Sequence, residues 1–112
     1  MAGFVYYIAS DKIGNQDPEL GKTLMHNFMV KLLAAKEKPT HILFVERGVQ
    51  LLLADSSAFE ALKDLEEEGI VLLACQTCLD YYGIRDKIEV GEVSNMPTII
   101  EKMHAAAKVI SL

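Results

Sequence analysis

The chain has almost no cysteine: two in 112 residues, at Cys75 and Cys78. A disulfide closing so small a loop would constrain little, so the pair is read as reactive or metal-binding and not as a structural staple. Surplus positive charge is missing too. Eleven Lys and Arg against sixteen Asp and Glu leave a net charge of −5, and no basic cluster rises above the scattered lysines. That balance speaks against nucleic acid or an anionic membrane as a partner. No apolar run is long enough to span a bilayer, and the start Met1-Ala2-Gly3 carries no basic segment or cleavage site. The expectation is a cytoplasmic protein whose thiols stay reduced. Repeats and low-complexity tracts are absent, and so is a glycine-rich phosphate loop, since Ile13-Gly14-Asn15-Gln16 holds one glycine only. The residues therefore indicate no nucleotide, flavin or other cofactor.

What is present suits one compact domain over residues 1–112, with 51% apolar and 24% charged residues. Phe4 to Ala9 reads as a buried strand. After the polar loop Ser10 to Asp17, Asp17-Pro18 marks a helix start, with an N-cap residue followed by proline at the first helical position. Leu20, Leu24, Met25, Phe28, Met29, Leu32 and Leu33 give that helix a wide apolar face, and it stops before Pro39. His41 to Glu46 is a second strand. Val49 to Ala54 is apolar and too short to type, either a third short strand or an irregular turn packed on the core. Ser57 with Glu60 has the spacing of a capping box, and Phe59, Leu62 and Leu65 continue a helix to Gly69. Its charged run from Lys63 to Glu68 is a solvated face. Ile70 to Ala74 is a strand leading into the cysteines, Ile88 to Val93 a short extended segment, Asn95-Met96-Pro97 the start of a last helix, and Val109 to Leu112 a final strand.

Alternating apolar strands and amphipathic helices predict an α/β protein, a three-layer sandwich with a mostly parallel sheet and helices on both faces. Functional groups in such sheets gather beyond the carboxyl ends of the strands. That rule brings Asp11, the Glu46-Arg47-Gly48 turn, Cys75 and the Ser94-Asn95 turn to one edge, with the first loop as a wall over it.

Cys75-Gln76-Thr77-Cys78 stands where a buried strand turns into a helix. That turn presents a thiol to backbone N–H groups, which favours the thiolate. Cys75 is the candidate nucleophile. Cys78, one helical turn on, is either its partner or a second small core residue. Zinc usually takes four ligands, and one CxxC with His26, His41 and His104 on different elements does not supply them, so no metal is expected. A thioredoxin-like redox pair suits the spacing but lacks the usual aromatic lead-in. His26 reads as a surface or interface residue, His41 opens its strand at the far end from the cysteines, and His104 faces solvent. Tyr81 or Tyr82 lines a pocket or simply packs in the core. Asp11 either hydrogen-bonds near the site or caps its own loop.

Cys75-Gln76-Thr77-Cys78-Leu79-Asp80-Tyr81-Tyr82-Gly83-Ile84, then Asp86-Lys87 and Val90-Gly91-Glu92-Val93-Ser94-Asn95-Met96, resembles the carboxy-terminal domain of YedF-type sulfurtransferase-like proteins. These belong to the wider DsrE/DsrF/TusD-like family. Ser10-Asp11 and Asp17-Pro18-Glu19-Leu20-Gly21 are similar to that family's first loop and helix start. The resemblance implies a DsrE-like fold, a homo-oligomer, and a small sulfur-relay protein. In sulfur-relay members a cysteine at a strand end, eight positions before a glycine, carries sulfur as a persulfide; Cys75 and Gly83 match. Cys78 matches only the narrower YedF-like pattern, where it would resolve the persulfide by forming a disulfide and releasing sulfide. YedF-type proteins commonly carry an amino-terminal sulfur-carrier domain that this sequence lacks, so separate donor and acceptor proteins are expected. Glu46-Arg47 stands where that subfamily often has a small polar turn. The competing expectations are a thiol-disulfide redox protein using Cys75 and Cys78, or a non-catalytic binding or regulatory module on the same fold.

Overall fold

The computed structural model describes residues 3–112; Met1 and Ala2, part of the start read above as carrying no leader, lie outside the described residues. Phe4–Ile8 (β1), His41–Phe44 (β2), Val71–Cys75 (β3), Glu92–Ser94 (β4) and Lys108–Ser111 (β5) form one sheet in the order β4-β3-β2-β1-β5. Every pairing is parallel, with Val5 opposite His41, His41 opposite Val71 and Cys75 opposite Ser94. The central strands are apolar on both faces because both faces are covered, as expected.

Side-chain alternation splits the core into two layers. On one face Tyr6, Ile8, Ile42, Phe44, Leu72 and Ala74 pack with Met25, Met29 and Leu32 of Pro18–Ala34 (α1) and with Ala61, Leu62 and Leu65 of Phe59–Glu67 (α2). On the other, Val5, Leu43, Val45, Leu73 and Cys75 pack with Ile99 of Met96–Ala105 (α4). The helix Gln76–Tyr82 (α3) follows β3 without a loop and ends at Gly83, whose φ of 69° is the left-handed C-cap that glycine adopts cheaply.

Several local readings are corrected. Of the two readings of Val49 to Ala54, the strand is excluded and packing on the core is right: Glu46–Leu52 is a 3₁₀ helix that buries Val49, Leu51 and Leu52. The Ser57/Glu60 box does not form, since Ala58 holds the N-cap position of α2 and no side chain caps it. Asp17 does sit at the N-cap of α1 ahead of proline, yet its side chain makes no capping bond. Only Glu92–Ser94 of the segment from Ile88 pairs as a strand. The face of α1 is narrower than its sequence pattern: Leu20 and Leu24 are exposed. Helix start signals did hold at α4, where the Asn95 side chain accepts a hydrogen bond from the Thr98 N–H at 2.8 Å.

Candidate functional site

Three strand ends build the site. Cys75 closes β3, Glu46 follows β2, and Ser94 closes β4 directly opposite Cys75. Because β3 runs straight into α3, Cys78 rises one turn beyond Cys75 and faces the residues leaving β2. There the Glu46 N–H donates to the Cys78 Sγ at 3.1 Å. The backbone of Glu46 is left-handed, φ 51°, and it is the one non-glycine residue with positive φ among the described residues. That conformation costs a non-glycine residue about 1–2 kcal/mol, and here it accompanies an amide aimed at a sulfur atom.

The two thiols differ sharply in access. Cys75 is 2% exposed and belongs to the α4-side core. Cys78 is half-buried and lines a cavity of about 330 Å³ with Glu46, Thr77, Tyr81 and Tyr82. Both tyrosines therefore reach the pocket, and Tyr81 is 83% exposed. They meet edge to face with ring centroids 5.1 Å apart, and the Arg47 guanidinium sits 5.9 Å from the Tyr82 ring centre. On the outer side of α3, Arg85 holds Asp80 through two bonds of 2.7 Å, an exposed pair of little energetic weight. Both cysteines are free thiols.

Burial pushes the Cys78 thiol above its ordinary value; the Glu46 N–H pulls it back, and the neighbouring Cys75 and the Glu46 carboxylate push it up again. Burial therefore outweighs the amide, and the thiolate at this position is scarcer at neutral pH than in a free thiol. Native Cys78 labelling by iodoacetamide is accordingly expected to be still climbing with pH above about 8.5, the usual thiol midpoint. A rate that levels off below neutrality would contradict this balance.

Other predicted residues fall elsewhere. Asp11 does not join the thiol cavity; it pairs with Lys12 at 3.2 Å and lines a separate cavity of about 370 Å³ with Lys22, Gln50, Asp55 and Ser57 among others. His26 uses Nδ1 to reach the Ser57 carbonyl at 2.7 Å, His41 sits at the amino end of β2 beside Thr40, and His104 is exposed on α4. Among the described residues no three His, Cys, Asp or Glu side chains are grouped to hold a metal ion. Thr77 was missed as a lining residue, although its place between the cysteines was a signal. The Glu46 amide was missed because its contact spans 32 positions in sequence and depends on an unusual φ.

A thiol pair at the carboxyl end of a parallel sheet, one sulfur held by a backbone amide and one enclosed, defines a small α/β protein with a strand-end dithiol site. A family model described as the DsrE/DsrF-like family matches residues 16–112, and the chain belongs to that family. The fold is similar to that of the ychN protein of E. coli, with a TM-score of 0.75 and 16% identity over 100% of both chains. MTH1491 of Methanobacterium thermoautotrophicum, a protein of unknown function, superposes with a TM-score of 0.71 and 19% identity over 100% of both chains. BT1422 of Bacteroides thetaiotaomicron gives 0.63 and 15% identity over 97% of this chain and 94% of its own. At these identities the likeness is one of fold. No curated protein sequence matches the chain.

Proposed function

We propose that this chain is a sulfur-relay protein that holds sulfane sulfur as a persulfide on Cys75, receiving it through Cys78. One observation carries this function: the chain's two thiols are neighbours, Cys78 on the wall of a cavity and Cys75 enclosed behind it. Membership of the DsrE/DsrF-like family supports it.

The chemistry balances without an outside oxidant. The Cys78 thiolate attacks the terminal sulfur of a persulfide on a donor protein; the donor S–S bond breaks as the new one forms, and the donor leaves as a thiolate. Cys75 then attacks that same outer sulfur, its thiol proton passing to solvent, and Cys78 leaves as a thiolate. Each transfer breaks one S–S bond and makes one. Enclosure protects the product, because a persulfide exposed to small thiols loses its sulfur to them. A separate acceptor protein would take the sulfur by the reverse path. We place the protein in the cytoplasm as a single domain that forms a homo-oligomer; exposed Val93, Met96, Ile100 and Val109 supply apolar surface for subunit contact.

The test is the intact mass of the purified chain after incubation with a persulfide donor, with and without reductant, followed by peptide mapping. The expected result is a reducible gain of one sulfur atom on the peptide holding Cys75 and Cys78. An internal Cys75–Cys78 disulfide without a sulfur gain would favour the redox alternative. Two unchanged thiols would overturn the relay and favour a non-catalytic module.

A further inference from the structure

The thiol cavity carries a charge that the relay chemistry does not use. Glu46 contributes its amide to Cys78 through the backbone, while the residue is exposed, lines the same cavity, and has its carboxylate near enough to Cys78 to push that thiol up. Among the described residues its carboxylate is in no ion pair. The neighbouring cation, Arg47, does not line the cavity and lies against the Tyr82 ring. The remaining lining residues, Thr77, Tyr81 and Tyr82, bring no carboxylate and no cation, and the Asp80 and Arg85 charges compensate each other. The one charged residue on the cavity lining, beside the nucleophile, is therefore negative, and the Arg47 cation, outside the lining, is a partial counterweight.

The geometry points to Glu46 as the residue that selects donors by charge, turning away anionic sulfane-sulfur compounds such as thiosulfate and admitting sulfur that arrives without negative charge. As a statement about donors this rests on the relay function; as a statement about the Cys78 cavity it stands on the charge arrangement alone. A compact dianion with its sulfane sulfur at the thiol has both its charges near the carboxylate. Sulfur presented by a partner protein, its own charge neutralised by that partner, does not suffer the same repulsion. The acidic balance of the whole chain, −5, adds to the effect at long range.

The test compares alkylation of Cys78 in the full chain by iodoacetate and by iodoacetamide at low ionic strength, with the adduct located by peptide mapping. Glu46→Gln keeps the backbone amide and the side-chain size. It also changes the thiolate fraction, but equally for both reagents, so the ratio of the two rates isolates the reagent's charge. The ratio of iodoacetate to iodoacetamide rates is expected to rise about threefold to fivefold in Glu46→Gln, and the rise should shrink at about 0.5 M salt. Arg47→Gln should lower the ratio by less than about twofold, because that cation lies outside the cavity lining. An unchanged ratio in Glu46→Gln, or an equal and opposite change in Arg47→Gln, would overturn the assignment.

A second arm measures sulfur loading from thiosulfate, in which the thiolate takes the outer sulfur and sulfite leaves. Glu46→Gln is expected to load about tenfold faster, since two charges are relieved instead of one. Loading that occurs but does not quicken overturns the inference for donors. If no donor yields a persulfide while the alkylation ratio still rises, the relay function falls and the charge selection at Cys78 remains.

Discussion

Cys78→Ser is expected to lose sulfur loading from a persulfide-bearing protein by on the order of a hundredfold or more, because it removes the nucleophile that the donor can reach. Cys75 is 2% exposed and cannot meet a protein-bound persulfide without the site opening first. The substitution should fold, since a serine hydroxyl accepts the Glu46 N–H in place of the sulfur. Cys75→Ala gives the complementary result. It still accepts sulfur, now stranded on the half-buried Cys78, and the adduct should decay about tenfold faster in the presence of a small thiol. Alanine is the better probe there, because a serine would bury a hydroxyl among Val5, Leu43 and Leu73 at a cost of about 1–3 kcal/mol. Loading of Cys78→Ser at the wild-type rate, mapped to Cys75, would assign the first attack to Cys75 and remove the two-step transfer.

The parts of this site that follow from local pattern were legible, and the parts that follow from contacts between distant segments were not. Apolar runs at β1, β2 and β3 have one solution when flanked by amphipathic helices, a parallel sheet covered on both faces, and that sheet collects its strand ends on one edge. Cys75 and Glu46 were placed together on those grounds. Access could not be read in the same way. Whether a strand-end thiol points to core or cavity depends on the pleat and on what covers it, and here Cys75 belongs to the α4 layer while Cys78, on the next turn, faces the pocket. Periodicity also overstated burial on α1, because Leu20 and Leu24 lie on the flanks of the stripe that α2 and the sheet cover. The capping box at Ser57 did not form either. The Ser57 carbonyl is engaged by His26 of α1, and the helix begins two residues later at Phe59. The 3₁₀ segment has no periodic signature at all. Its existence depends on how closely the chain after β2 can approach the end of β1, which is a property of one glycine.

That glycine is Gly48, and Gly48→Ala is expected to be the most destabilising small substitution in the chain. Gly48 is buried, its N–H donates to the Val45 carbonyl at 2.9 Å, and a methyl group added there would collide with the carbonyl oxygen and carbon of Ile8. The obstacle is backbone at the end of β1, where Ile8 pairs with Phe44 and its carbonyl accepts the Val45 N–H at 3.0 Å, so it cannot rotate away as a side chain would. The expected loss is about 3 kcal/mol or more, read as a lower urea midpoint at unchanged slope. Gly83→Ala provides the contrast. Nothing lies within 4 Å of its missing Cβ, and the cost is the left-handed φ alone, about 1–2 kcal/mol. The two substitutions add the same atom and the glycine entropy cancels, so the difference between them is the clash at Gly48 less the left-handed strain at Gly83. Gly48→Ala should also reach the thiols. To relieve the clash the 3₁₀ segment must move away from β1, and Glu46, two residues earlier, moves with it. Its N–H then leaves the Cys78 sulfur, and the pH profile of Cys78 labelling should shift further upward, because the amide was the one influence holding that thiol down. A Gly48→Ala protein as stable as Gly83→Ala, with an unaltered labelling profile, would show that the segment is not held in place by this contact.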